Sequence, residues 1–189
     1  MMGFARDRIF VRMVCALFAA FFMPSFASAE IEKMVSPSDE GLSFYWWPKL
    51  APIKGWHQDR EYSYYYAYNA FAPDGFTFKN ADTVMYASAV YKPRCPKLKT
   101  LAEFIENDRK NNEANEPGIS IQEVAPLTTA DGQKLRSFTF FPTKGAIWER
   151  VSYGEEDDYY LVFTVSSHSQ RGYNETVSDY EKLVTGYKK

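Results

Sequence analysis

Apolar and polar side chains alternate along several stretches of the chain, which is the pattern of strands with one face toward a core. In 159–167 the alternation is apolar on both sides, because Leu161 and Phe163 share one face while Tyr160 and Val162 share the other. We therefore expect the sheet to be covered on both sides near its middle. The predicted strands are 42–48, 61–71, 83–91, 119–125, 133–141, 146–153 and 159–167.

Two further stretches, 98–111 and 176–185, carry apolar residues three or four positions apart and are predicted helices. Asn174 is the predicted N-cap of the second helix, and Gly186 is its predicted end. Turn chemistry occurs at Pro73-Asp74-Gly75 and at Asp131-Gly132. The order of strands, helix, strands and helix, with short links, predicts an α+β domain with an antiparallel sheet flanked by helices.

The first 29 residues have the three parts of a secretory signal peptide. Arg6, Arg8 and Arg12 precede an apolar run at 14–23, and small residues at 27–29 follow it. That run is about half of the ~20 residues that a membrane-spanning helix needs, so a retained anchor is the weaker alternative. We predict cleavage after Ala29, a periplasmic or secreted product, an irregular leader at 30–41 and a single domain at 42–189. No transmembrane segment is expected in the mature chain.

Charge and cysteine content narrow the possible functions. The net charge is −2, and removal of residues 1–29, with three Arg and one Asp, leaves −4. Such a chain lacks the basic surplus that neutralises phosphates, so nucleic-acid binding is excluded as a main role. Cys95 is the one cysteine beyond the signal peptide. An internal disulfide is therefore excluded, and a disulfide-linked dimer through Cys95 remains possible.

Several segments together resemble the PsbP-like domain. They are Lys54-Gly55-Trp56, the strand at 81–86 followed by the helix residues 101–105, the turn at 129–132 and the closing helix residues 180–184. This fold is shared by the photosystem II extrinsic subunit PsbP, a Ran-binding import factor and the bacterial envelope protein DcrB. The resemblance covers about 42–187 and implies an α/β/α sandwich with accessory, protein-binding or assembly roles. It assigns no functional residue.

Side chains that could carry out catalysis are few. His57 lies two positions from Asp59, so both would share one face of an extended segment, and His168 lies among Ser166, Ser167 and Ser169. A hydrolase at either histidine is the least favoured function, because adjacency alone supplies neither a triad nor an oxyanion hole. The acidic run at 155–158 lacks EF-hand spacing and is interpreted as a soluble hairpin tip rather than a calcium site. We predict no metal and no cofactor.

Aromatic residues are concentrated in one region, with 13 of the 37 residues from 42 to 78 being Phe, Tyr or Trp. Such rings either pack in a core or serve at binding surfaces, and both interpretations stay open. On the predicted strand 61–71, four tyrosines alternate onto one face. The candidate binding residues are Trp46, Trp47, Trp56, Tyr62, Tyr64, Tyr66 and Tyr68.

These observations favour a non-enzymatic accessory or assembly protein that binds another envelope protein. The alternative is a small-molecule or glycan binder that uses the aromatic residues as a stacking platform. The shape of the aromatic region distinguishes the two functions. A concave pocket of several hundred cubic ångströms would favour a ligand, and a flat or convex patch would favour a protein partner.

Overall fold

The computed structural model describes residues 31–38, 41–144 and 147–189, and these residues form an α+β structure. The predicted signal peptide lies outside the described residues. The strands are β1 Ile31–Ser38, β2 Gly41–Pro48, β3 Trp56–Gln58, β4 Asn69–Pro73, β5 Thr83–Tyr91, β6 Ser120–Thr128, β7 Lys134–Phe141, β8 Trp148–Glu156 and β9 Tyr159–Ser167. The α-helices are α1 Arg60–Tyr66, α2 Leu101–Asn115 and α3 Gln170–Thr185. A 3-10 helix spans Lys92–Arg94.

Seven strands form one sheet in the order β3-β4-β5-β9-β8-β7-β6, and every neighbouring pair is antiparallel. At its centre β5 and β9 pair over their full lengths, with Thr83 opposite Ser167 and Tyr91 opposite Tyr159. β1 and β2 form a separate two-stranded ribbon. The large antiparallel sheet expected from the sequence is therefore confirmed.

The two faces of the sheet bury different apolar clusters. On one face Phe163 of β9 packs with Tyr180 and Val184 of α3. On the other face Ile105 of α2 packs with a group from β7 and β8 made of Phe138, Phe140, Val151 and Tyr153. Val162 of β9 adjoins this second cluster, so alternate residues of one strand contribute to both. This agrees with the apolar alternation of 159–167.

Helix α3 is fixed to its face by a buried polar contact as well as by apolar packing. The Tyr180 hydroxyl is fully buried and lies 2.7 Å from Ser152 Oγ and 2.9 Å from the Phe163 carbonyl oxygen. A buried hydroxyl needs such partners because leaving it unpaired is costly. No helix in the described ranges is long and apolar enough to span a bilayer.

The expectation of an irregular leader at 30–41 is wrong for the residues that the structure describes. β1 pairs with β2 from Ile31 opposite Pro48 to Ser38 opposite Gly41. The serines and Pro37 indicated a loop, yet proline is tolerated in a strand that has a neighbour on only one side. Residues 31–38 therefore form regular structure ahead of residue 42.

The predicted strand at 61–71 is also wrong, because this stretch forms helix α1 followed by strand β4. Asp59 caps the helix by accepting a hydrogen bond from the Tyr62 backbone amide at 3.2 Å. Ala67, with φ 60° and ψ 36°, ends it in the left-handed region. The buried Ser63 hydroxyl then accepts from the Ala70 amide at 3.0 Å and joins the helix to β4.

Other boundaries agree more closely with the sequence. β5 and β9 have the predicted bounds, and the turns at Gly75 and Gly132 have positive φ angles. β8 continues to Glu156, so the link to β9 shortens to Asp157-Asp158. The predicted cap of α3 at Asn174 is wrong, because the helix begins earlier and Ser169 caps it.

Candidate functional site

Helix α1 presents three tyrosines to solvent. Tyr64 is 54% exposed, Tyr65 is 77% exposed and Tyr66 is 42% exposed, whereas Tyr62 and Tyr68 are half-buried beside them. We call these five residues the tyrosine surface. The three tyrosines are exposed because α1 packs through the small residue Ser63, which leaves the neighbouring positions on the solvent side of the helix. Tyr65, absent from the candidate list, is the most exposed of the five.

The tryptophans predicted as binding residues have different environments. Trp47 is 2% exposed and Trp56 is 8% exposed, so both belong to the interior, and the structure does not present them on a binding surface. Their role as binding residues stays a prediction. The Trp47 indole donates to Glu32 at 3.2 Å, and the Trp56 indole donates to Asp179 at 3.3 Å. Trp46 is half-buried, with the Arg94 guanidinium 4.6 Å from its ring.

Ring contacts continue from the tyrosine surface to the sheet. Tyr65 and Tyr66 have centroids 4.8 Å apart, and Tyr66 and Tyr68 are nearly parallel at 6.2 Å with an interplanar angle of 7°. Tyr68 stacks on Tyr86 of β5 at 4.9 Å, and Phe78 lies 5.7 Å from Tyr66. Sequence analysis missed Tyr86 and Phe78, because the predicted strand at 61–71 separated them from the tyrosines.

The sheet face beneath these rings contains a carboxyl group in a poorly solvated environment. The Tyr86 hydroxyl donates to Glu149 Oε1 at 3.3 Å. Burial raises the pKa of Glu149, and hydrogen bonds from Ser166 and Tyr86 oppose that change. Burial also raises the pKa of Tyr86, and the nearby Glu149 charge raises it further. This part of the face therefore favours neutral side chains.

Three open grooves surround Tyr66, which lines all of them. The ribbon groove, of about 300 Å³, lies between α1 and the ribbon and is lined by Phe44, Tyr45, Trp46, Tyr91 and Arg94. The helix groove, of about 530 Å³, is lined by Glu61, Tyr62, Tyr64, Tyr65 and Lys79. The sheet groove, of about 320 Å³, reaches Tyr68, Phe78, Asp82, Tyr86, Ser166 and His168. Tyr66 thus lies where three shallow, open grooves adjoin.

The proposed pairing of His57 with Asp59 is wrong. Asp59 is buried, where it caps α1 and accepts from the Phe78 amide at 2.9 Å. His57 Nδ1 lies 3.5 Å from the Asp74 carboxylate instead, and both side chains are well exposed. A buried residue that holds two backbone amides is a structural cap rather than the orienting acid of a catalytic pair.

The serines around His168 serve the start of α3. Ser169 Oγ donates to Asp82 at 2.7 Å and accepts from the Gly172 amide at 3.0 Å, and Ser167 Oγ lies 2.7 Å from Thr83 Oγ1. Among the residues that the structure describes, no hydroxyl lies within hydrogen-bond distance of either imidazole. The geometry therefore assembles neither of the hydrolase arrangements considered from the sequence.

Two acidic residues of the hairpin tip form ion pairs with lysines. Lys92 pairs with Glu155 at 3.1 Å, and Lys189 pairs with Asp157 at 2.6 Å. Over the described ranges, no three His, Cys, Asp or Glu side chains converge as metal ligands.

Cys95 follows the 3-10 helix and is half-buried, and its disulfide with a second chain stays a prediction.

Comparison with known proteins gives no functional assignment. No family model matches the chain, and no curated protein matches it. One similar solved structure is PA94 of Pseudomonas aeruginosa, a protein of unknown function, with a TM-score of 0.46 and 11% identity. The match covers 82% of this chain and 96% of that one. Any functional inference therefore depends on the geometry of the site itself.

Proposed function

We propose that this chain is a non-enzymatic binding protein of the periplasm or the extracellular space. The tyrosine surface around α1 recognises its target. The observation that carries this proposal is the exposure of Tyr64, Tyr65 and Tyr66 beside three grooves that meet at Tyr66. Rigid aromatic rings with a polar tip supply large contact area at a small cost in side-chain entropy.

The shape of the surface supports a ligand as the first candidate target. Grooves of about 300 to 530 Å³ lie within the size range of small-molecule sites. A small molecule or a glycan chain fits such grooves better than a protein partner does, because a protein partner is expected to make a flat contact. The tyrosines of α1, rather than Trp47 or Trp56, form this platform.

An envelope-protein partner is the second candidate, and the ribbon favours it. Leu42 is 65% exposed, Val35 is 48% exposed and Tyr45 is 37% exposed. Tyr45 also lines the ribbon groove, so the apolar residues of the ribbon adjoin the tyrosine surface. A protein that covered both would bury more apolar area than the grooves alone offer.

The finer description of the fold is part of the same proposal. Packing of α3 and α2 on opposite faces of the antiparallel sheet supports an α/β/α sandwich. The PsbP-like assignment rests on the sequence resemblance, which implies accessory roles. Export rests on the signal-peptide pattern at 1–29, and mass spectrometry of the mature protein tests it by locating the first residue, expected at Glu30.

The function is tested with a double variant, Tyr65→Ala with Tyr66→Ala. Wild type and variant are immobilised and exposed to detergent-solubilised envelope proteins and to purified sacculi. Phe76→Ala is the control, since Phe76 is 53% exposed and lines none of the three grooves. Circular dichroism melting verifies that each variant folds.

Wild type and Phe76→Ala are expected to retain a component that the double variant does not retain. Equal retention by the folded double variant, or the absence of any retained component, contradicts the proposal.

A further inference from the structure

We propose that the sheet groove binds one ring of a neutral saccharide chain, an inference that rests on the proposed function and names its ligand. The groove is lined by four aromatic residues, Tyr66, Tyr68, Phe78 and Tyr86. It is also lined by four polar residues, Lys79, Asp82, Ser166 and His168. A ligand for this groove must combine an apolar surface with hydrogen-bonding groups.

Among the aromatic lining residues, Tyr66 offers the most open ring. It is 42% exposed although Tyr68 lies nearly parallel to it at 6.2 Å, so part of the Tyr66 ring stays open to a pyranose. The axial C–H groups of a sugar form an apolar face that packs on such rings, while its hydroxyls point outward around the edge. The tyrosine hydroxyls add polar tips next to the apolar contact.

Two of the polar lining residues, Asp82 and His168, are held in place by hydrogen bonds at the start of α3. Asp82 Oδ2 accepts from Ser169 Oγ at 2.7 Å, and the Asp82 carbonyl accepts from the His168 amide at 2.9 Å. A carboxylate has further acceptor sites, and an imidazole has both a donor and an acceptor when neutral. Sugar hydroxyls both donate and accept, so they match this mixed set of groups.

The charges around the groove favour a neutral ligand. Lys79 and Asp82 have opposite signs and line the same groove, so their fields offset each other. A charged ligand would be attracted by one of these groups and repelled by the other, so the groove gives a charged ligand no net advantage over a neutral saccharide.

Stacking between the rings also argues against an aromatic cage for a quaternary ammonium ion. Such a cage needs ring faces directed toward the cation. Here Tyr66, Tyr68 and Tyr86 form a nearly parallel row, with interplanar angles of 7° and 26°, so these rings do not surround a single point, whereas a sugar needs only the open part of one ring.

The neighbouring groove indicates a chain rather than a single sugar. Tyr66 and Lys79 line both the sheet groove and the helix groove. The helix groove adds about 530 Å³ lined mainly by tyrosines. A saccharide ring in the sheet groove can therefore continue past Tyr66 along α1, and longer oligomers should bind more tightly than short ones.

Calorimetric titration with cellohexaose, chitohexaose and maltohexaose tests the inference, with choline as the cationic probe. At least one hexasaccharide is expected to bind more tightly than its disaccharide. Tyr66→Ala and His168→Ala should each raise the Kd about tenfold or more, which corresponds to about 1.4 kcal/mol. His168 is exposed, so this second variant keeps the test valid if Tyr66→Ala fails to fold. Phe76→Ala should bind as wild type does.

The inference is overturned if no hexasaccharide binds at millimolar concentration, if binding is unchanged in both variants, or if choline binds and no hexasaccharide displaces it. These results are separable from the proposed function. If the hexasaccharides fail while retention of an envelope component still requires Tyr65 and Tyr66, the saccharide assignment falls and the tyrosine surface remains the recognition site.

Discussion

The carboxyl group of Glu149 shows how one residue can report on the environment beneath the tyrosines. Burial raises its pKa, so the folded state holds its proton more tightly than the unfolded chain does. The folded state is therefore favoured by this group below the unfolded pKa of about 4.3, and the advantage is lost as pH rises through the folded pKa. The contribution of Asp108 to stability has the same pH dependence, because burial raises the pKa of Asp108 as well.

We expect Glu149→Gln to stabilise the protein relative to wild type as pH rises from about 4 to neutrality. The amide keeps the shape of the side chain, can still accept from the Tyr86 hydroxyl and carries no charge on this face. Urea unfolding at a series of pH values measures the difference in the free energy of unfolding. A difference that stays constant with pH would show that Glu149 does not titrate differently on folding.

The variant Glu123→Gln is a control, because its stability relative to wild type should change with pH in the opposite direction. Glu123 is exposed and pairs with Arg136 at 2.9 Å, and the hydrogen bond from that guanidinium lowers the pKa of Glu123. Its stabilising effect is present above the unfolded pKa and is lost in acid. This variant should therefore lose a little stability relative to wild type as pH rises, because exposed pairs contribute weakly.

Among the elements, helix α1 ends at a residue that is poorly suited to its backbone conformation. Ala67 has φ 60° and ψ 36°, a left-handed conformation that glycine adopts more readily than alanine. We expect Ala67→Gly to raise the free energy of unfolding by about 0.5–1 kcal/mol, measured by urea denaturation. The gain arises because the Cβ that opposes this conformation is removed.

Ala102→Gly is the matched substitution in a regular helix. Ala102 lies exposed in the first turn of α2, where glycine costs up to about 1 kcal/mol relative to alanine, the value for a helix interior. The two Ala→Gly variants should therefore change stability in opposite directions. Destabilisation by both would show that the C-terminal end of α1 does not hold the left-handed geometry in solution.

The elements also show what local pattern could predict. β5 and β9 were placed at their observed bounds, because alternating apolar residues and flanking turns both specify them. In 61–71 tyrosines at every second position predict a strand, but the cap at Asp59 and the contacts of Ser63 favour a helix over the first part of this stretch. The start of α3 was missed because Gly172 normally disfavours a helix interior.

Tertiary contact explains why that glycine is present. A Cβ at position 172 would overlap the Asp82 carboxylate and the hydroxyls of Thr83 and Ser167. Tertiary contacts also limit what the sequence predicts about the candidate site. Composition identifies the aromatic region but does not separate the exposed Tyr64 from the buried Trp47. Exposure depends on which elements pack together, and sequence spacing does not contain that information.

At the scale of the whole molecule, the ribbon and the seven-stranded sheet are joined at a few points. Trp47 is buried near Tyr64, with ring centroids 6.4 Å apart. The Pro48 carbonyl accepts from Asn69 at 2.9 Å, and the Phe44 carbonyl accepts from Arg94 at 2.6 Å. All of these contacts involve β2, whereas β1 is attached by its pairing with β2 and by Ile31, which is half-buried and packs against the larger core cluster.

This arrangement predicts unequal protection from hydrogen exchange. β9 is paired on both sides, with β5 and β8, and its apolar residues are buried in both core clusters. Its amides should exchange only when the whole domain unfolds. β1 belongs to a two-stranded ribbon and packs on the core through Ile31, so a smaller part of the structure has to open to release it. Mass-spectrometric deuterium exchange should therefore label β1 well before β9, with β2 intermediate because its base is anchored. Equal protection of β1 and β9 would mean that the ribbon unfolds with the sheet as one cooperative unit. The ribbon groove would then have a wall as rigid as the sheet on its other side.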